Sequence, residues 1–266
     1  MKLCLKKVFV IKDKTLVGLT DFGKTLESIV IPKRVRWIGE NAFKDCEIVK
    51  TIKIPKGVQY IDDCAFEGCF NLTSINIPDT VTHIGFEAFY DCENLTSITI
   101  PVSVKTIDSW TFQGCSNLTS INLPDGIITI GEEMFTNCGL RSITIPESVT
   151  SIGANAFNGC IDLLSIKLPN NLTKIGAYAF VGCSKLTSIR IPDSVTLIDD
   201  YAFEYCDSLE SIIIPKNVAN VGACGFWHCE NLKDIYINQP EDKNLFYKRV
   251  PPDCTIHWNS TGPESV

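Results

Sequence analysis

Phenylalanine stands at positions 43, 66, 89, 112 and 135, steps out once by 22 residues to 157, and then returns at 180, 203 and 226. Every other step is 23 residues, and proline at 32, 55, 78, 101, 124, 146, 169, 192 and 215 keeps the same series with the same short step. Two unrelated side chains sharing one period exclude most folds, because a unit of this length cannot bury its own apolar face and must stack on copies of itself. The short step follows Cys138, where Cys138-Gly139-Leu140 replaces forms such as Cys115-Ser116-Asn117-Leu118. One loop is tightened there and the register survives.

The unit reads Leu-x-x-Ile-x-Ile-Pro-x-x-Val-x-x-Ile-Gly-x-x-Ala-Phe-x-x-Cys and is cleanest from Ser142 to Cys160. Its Ile-x-Ile alternation is the period-two signature of a strand buried on one face, so stacked copies form a parallel sheet. Proline ends the strand, having no N–H to donate and a fixed φ. Val-x-x-Ile reads as a short extended piece or turn. Gly85, Gly131, Gly153, Gly176 or Gly222 then permits a bend, and Asp62, Asp108 and Asp199 in the same slot accept a backbone N–H. Phe and Cys, three apart, share one side of a helical or 3-10 turn. Truncating a central ring such as Phe112 to Ala is expected to cost about 3–5 kcal/mol.

The period divides the chain into an N-terminal cap hairpin (residues 1–25), a solenoid of nine units plus a final strand (26–237) and a C-terminal cap and tail (238–266), expected to form one continuous body. Val8 to Ile11 and Thr15 to Thr20 read as the hairpin strands, and Asp21-Phe22-Gly23 as a plain turn. Leu245-Phe246-Tyr247 and Cys254 to Trp258 supply aromatic surface to cover the last coil. Nine of the 13 cysteines occupy one repeat position, from Cys46 to Cys229, which places them in the core as free thiols. A net charge of −7 excludes the basic stripe that nucleic-acid binding requires. Lysines interrupt the apolar residues of Met1 to Lys12, so no signal peptide is read there, and no run is long enough to insert in a membrane.

These residues resemble the BspA-type leucine-rich repeat family, whose unit carries the same Ile-Pro-x-x-Val-x-x-Ile-Gly-x-x-Ala-Phe-x-x-Cys pattern at 23 residues, over about residues 26 to 237. The resemblance implies a right-handed, mainly β repeat solenoid with the Leu-x-x-Ile-x-Ile strands on its concave side. It also implies microbial proteins, often exported and surface-exposed, that bind host or other macromolecules. Location stays open between the surface or secreted site implied by the family and the reduced cytosol that the cysteines fit.

His83, His228 and His257 are too scattered to build a nucleophile–base pair, so no catalytic residue, cofactor or metal is assigned. Cys224-x-x-x-His228-Cys229 has zinc-ligand types, but Cys229 belongs to the core series. The readable candidates are binding surfaces. The concave face presents Lys53, Asn76, Thr99, Asn122, Thr144, Lys167, Arg190, Ile213 and Tyr236, beside a Thr/Ser row from Thr51 to Ser211. The alternative is a convex set of aromatics that the repeat does not require: Phe86, Tyr90, Trp110, Tyr178, Tyr201, Tyr205 and Trp227. Asn71, Asn94, Asn117 and Asn171 match the glycan-acceptor pattern through the repeat consensus. The function read is a non-enzymatic interaction module for a protein or glycan macromolecule, adhesin-like or adaptor. The alternative is a structural spacer in a larger cell-surface assembly.

Overall fold

The computed structural model describes residues 8–239 and 250–262. Met1 to Lys7, the Leu245-Phe246-Tyr247 cluster and the last four residues lie outside them. By its contacts the chain forms two compact units, residues 1–127 and 128–266, each a stack of the predicted β coils.

In the first unit the Ile-x-Ile segments form parallel strands Ser28–Val30, Thr51–Lys53 and Ser74–Asn76, and a further pair Ser97–Thr99 and Ser120–Asn122. Each residue pairs with its equivalent one repeat away, as Ile29 with Ile52 and Ile52 with Ile75. The Val-x-x-Ile segments are more than turns. Trp37–Ile38, Tyr60–Ile61, His83–Ile84 and Thr106–Ile107 build a second parallel sheet. The hairpin Phe9–Lys12 and Thr15–Leu19 turns on Asp13 and Lys14, both at positive φ, and its second strand joins that sheet beside Trp37–Ile38. Asp21–Lys24, the one helix among the described residues, is a single turn capped by the Thr20 hydroxyl, which accepts the Gly23 N–H at 3.1 Å.

The second unit repeats the plan. Ser142–Thr144 pairs with Ser165–Lys167, and Ser211–Ile214 with Asp234–Ile237. Thr129–Ile130, Ser151–Ile152, Lys174–Ile175, Leu197–Ile198 and Asn220–Val221 form the second sheet. Thr255–Trp258, read from sequence as a cover, adds in parallel to Asp234–Ile237 as one more strand.

The segment around Ala-Phe-x-x-Cys is a run of turns, where a helical or 3-10 turn is expected. The residues two before and two after the ring take positive φ, as Cys64 (+53°) and Gly68 (+66°) do. Reversing the hand on either side of the ring sends alternate N–H groups in different directions. Those of Ala65, Glu67 and Cys69 close turns within the coil, whereas those of Cys64, Phe66 and Gly68 donate to Phe86, Ala88 and Tyr90 of the next coil at 2.8–2.9 Å. A uniform helix would aim them all one way and leave the next coil without donors.

The glycine slot also differs in cause. Gly153 and Gly176 face the preceding coil so closely that a Cβ would lie 2.7 Å from the Glu132 nitrogen and 2.6 Å from the Gly153 carbonyl carbon. Close backbone approach, rather than bending, selects glycine. In the aspartate copies the carboxylates of Asp62 and Asp199 accept the N–H of the following residue at 3.1 and 3.0 Å, as the sequence reading expects.

Inside each unit the rings stack in columns: Phe43, Phe66, Phe89 and Phe112 at 5.1–5.5 Å, and Phe135, Phe157, Phe180, Phe203 and Phe226 at 5.3–5.5 Å. All are at most 1% exposed. The cysteine column lies beside them and carries no disulfide. The sulfurs of Cys69, Cys92, Cys115, Cys160, Cys183, Cys206 and Cys229 donate to the phenylalanine carbonyl of the preceding coil, as Cys92 to Phe66 (3.3 Å) and Cys160 to Phe135 (3.0 Å). Phe180→Ala is expected to lower unfolding free energy by about 3–5 kcal/mol in urea titrations, the cost of deleting a fully packed ring. Burial pushes the Cys160 thiol from 9.0 up to about 12. The folded chain therefore keeps a proton that the unfolded chain releases above pH 9, and stability falls as pH rises from there toward 12. Cys160→Ser, which keeps a donor but does not ionise, is expected to reduce that slope by one proton in urea titrations across this range.

Candidate interaction surface

Strand alternation decides what the Ile-x-Ile face offers. Ile52, Ile75 and Ile98 point inward, which turns Lys53, Asn76 and Thr99 outward, and these three with Asn122 form an exposed row in the first unit. Thr144, Lys167 and Arg190 continue the pattern as exposed residues of the second unit. Ile213 and Tyr236 do not: both are half-buried, because the C-terminal segment crosses them. His257 stacks on Tyr236 at 4.7 Å, and Gly262 sits so close that a Cβ there would lie 3.0 Å from Ile213 and 3.2 Å from Tyr236. The neighbouring Thr/Ser row is exposed at its positions from Thr51 to Ser188 and half-buried at Ser211, and the Thr51 hydroxyl donates to Ser28 at 2.9 Å.

The second unit has one irregularity on this face. Residues 188–190 form no strand, and no ladder bond joins them to Ser165–Lys167. A cavity of about 520 Å³ lies at this break, lined by Ile166, Lys167, Leu168, Asn170, Arg190, Ile191, Pro192, Asp193 and Ser194. Two of the sequence-predicted residues, Lys167 and Arg190, thus meet at one opening.

The convex aromatics lean on neighbouring coils. Tyr178 stacks on Tyr201 at 4.9 Å and Tyr205 on His228 at 4.6 Å, Phe86 meets Trp110 at a tilt at 5.9 Å, and Trp227 meets its own chain neighbour His228 at 4.3 Å. Tyr90 is half-buried beside them. The acceptor-pattern asparagines are likewise spent between coils, their amides donating to the carbonyls of Glu47, Phe70, Glu93 and Glu147 at 2.7–3.1 Å. An aromatic row on the second sheet escaped the sequence reading: Trp37 (38% exposed) and Tyr60 (41%) lie 6.4 Å apart, with His83 6.2 Å beyond. Its signal was the residue before the Ile of Val-x-x-Ile, which is small or polar in most other copies.

The histidines have separate neighbours. His83 meets Thr106 at 2.6 Å and Asp108 at 3.5 Å, and His257 meets Asp234 at 2.7 Å. Cys229 donates to the Phe203 carbonyl at 3.0 Å, which turns it into the core and away from a zinc set with His228. The one metal-like grouping among the described residues is Cys64, Glu67 and Glu87. The Lys44 ammonium already lies 2.8 Å from Glu67, and the Cys64 thiol donates to Glu87 at 3.5 Å. Burial, then the two glutamates, push that thiol up to about 12, so it holds its proton at neutral pH. In this hydrogen-bonded cluster Glu67 is paired with a lysine and Glu87 accepts from the protonated thiol.

The sequence matches the model of the BspA-type leucine-rich repeat region in six copies, over residues 22–141 and 128–249. The chain belongs to the BspA-type leucine-rich repeat family. Its fold is shared with solved leucine-rich repeat proteins. One, from Eubacterium ventriosum, is 23% identical with a TM-score of 0.53, covering 93% of this chain and 70% of that one. The pneumococcal vaccine antigen PcpA is 18% identical with a TM-score of 0.50, covering 94% and 90%. No curated protein matches the sequence. Among the described residues, no helix of this BspA-type chain is long and apolar enough to cross a membrane.

Because the exposed strand-row side chains are not part of the packed columns, Lys53→Glu, Asn76→Asp and Thr99→Glu are each expected to change unfolding free energy by less than about 0.5 kcal/mol in urea titrations.

Proposed function

We propose that this BspA-type chain is a non-enzymatic interaction module that presents its Ile-x-Ile strand row to a macromolecular partner, adhesin-like where it is displayed on a cell and adaptor-like elsewhere. The observation that carries the reading is the contrast between repeat positions. Inward columns hold nearly one residue type, whereas the row positions, Lys53 to Asn122 in the first unit and Thr144 to Arg190 in the second, are exposed, change from coil to coil and are not engaged by the fold. The rival aromatic set is partly consumed by stacking between coils, so it offers less free surface. A protein partner fits the row better than an isolated small ligand, since the face is extended and polar with both donors and acceptors. In this reading residues 1–25 and 238–266 act as caps. The hairpin pairing at Thr15 and Leu16 and the added strand Thr255–Trp258 support that role by occupying sheet edges.

The test places a photo-crosslinking side chain at Asn122, Thr144 or Lys167 and, in separate variants, at Phe86 or Tyr178. Each is irradiated against surface extracts of the producing cells and of the cells they contact. Adducts are expected from the strand row and not from the aromatic positions. Adducts confined to Phe86 and Tyr178 would overturn the choice of face. Failure of every variant, together with disruption by deletion of one whole repeat, would favour a spacer.

A further inference from the structure

The cavity on the strand face of the second unit combines three features. Its two charged donors, Lys167 and Arg190, are equivalent residues of successive coils, 23 positions apart. Both are exposed, and neither side chain makes a hydrogen bond or ion pair among the described residues. Like charges opposite one another on a sheet repel, and here the coil carrying the second of them forms no strand with the first.

At some other steps of the row a main-chain bond spans the coils just after the strand, whereas at the step from Asn76 to Thr99 the strands are not paired either. Ile31 N–H donates to the Lys53 carbonyl at 3.0 Å, and Ile145 N–H to the Lys167 carbonyl at 2.9 Å. No equivalent bond joins Leu168 to Arg190. The break thus opens about 520 Å³ where two cations and unspent main-chain groups face one another, with Asn170 and Ser194 at the rim and Asp193 the single carboxylate of the lining, which leaves the opening one positive charge in excess. The chain as a whole carries −7, so this pair is a local reversal of sign. In the first unit Lys53 has Val30 and Asn76 as its row neighbours and no second cation.

We infer that the break between Lys167 and Arg190 is a docking site for an acidic segment of a protein partner, whose extended chain lies along the row and whose carboxylates are held by the two cations. The inference rests on the strand row being the interacting face. Charge complementarity supplies the recognition: a carboxylate between the two cations relieves their repulsion, and the Arg190 guanidinium takes it with two parallel N–H donors. The apolar lining from Ile166, Leu168 and Ile191 and the free main-chain groups suit a peptide, which brings its own N–H, C=O and side chains in alternation. A sulfated sugar chain would match the charge alone.

The probe is a fluorescein-labelled peptide of about eight residues alternating Glu and Thr, read by fluorescence anisotropy in low salt and again near physiological ionic strength, where charge contacts weaken. Binding to the full chain is expected, with a loss of about tenfold or more in Lys167→Glu/Arg190→Glu and a smaller loss in Lys167→Gln/Arg190→Gln. Lys24→Glu, at an exposed lysine outside the strand row, is expected to bind as the parent does. An unchanged thermal transition in the glutamine pair shows that the loss is not unfolding. No binding to the parent chain, or equal binding by the double variants, overturns the site. Capture of a heparin oligosaccharide without capture of the peptide also overturns it, in favour of a sulfated sugar. Photo-crosslinks from Asn122 and Thr144 that persist in those cases leave the strand row as the interacting face and confine the failure to this occupant.

Discussion

The structure depends on main-chain hydrogen bonds that run from one coil to the next at up to three places in a repeat. The Ile-x-Ile strands, the two-residue strands of the second sheet and the turns around each phenylalanine all donate along the stack. The bond from Phe66 N–H to the Ala88 carbonyl at 2.8 Å is typical. Such bonds hold successive coils at the strand spacing of about 4.8 Å. Equivalent side chains are then placed one above another and must be compatible with copies of themselves. A phenylalanine meets this condition by stacking, and a cysteine by donating its thiol to the carbonyl of the preceding ring residue. Aspartate and glycine alternate two residues after some of the rings for the same reason. The Asp45 and Asp91 carboxylates reach over the next coil so closely that Gly68 and Gly114 have no room for a Cβ.

The same constraint sorts the surface. Asparagine and threonine satisfy the column rule with hydrogen bonds between coils, as Asn94 does to Phe70 and Thr173 to Thr150. Opposite charges satisfy it as well, Lys185 reaching Asp162 at 2.6 Å. Lys167 and Arg190 do not, and the ladder is open where they meet. A column that cannot satisfy itself is the place where a partner's groups have most to add, and it is the physical link between the repeat and the proposed interaction.

Much of this was legible in the residues. The period, the inward set from Ile29 to Ile237, the proline-ended strands and the buried cysteines follow from side-chain chemistry repeated at fixed spacing, and the structure has them where the pattern places them. The second sheet was not legible as a sheet. Two residues of strand per coil, such as His83–Ile84, are too few to show alternation, and only their neighbours in the stack make them a ladder. Nor were the left-handed residues. Tyr201 and Trp110 take positive φ although their side chains disfavour it, because the hydrogen bonds between coils require that hand whatever residue occupies the slot.

The sequence by itself determined the family, the stacking architecture and the identity of the inward columns, since burial selects few residue types and repetition makes the selection visible. Tertiary structure decided which outward residues are free. Ile213 and Tyr236 belong to the same row as Lys167, yet the C-terminal segment half-covers them. Tyr178 and Tyr205 look like free aromatics in the chain, yet each leans on the next coil. Exposure is a property of what lies one repeat away or at the chain's end, and a position in the repeat pattern carries no record of it.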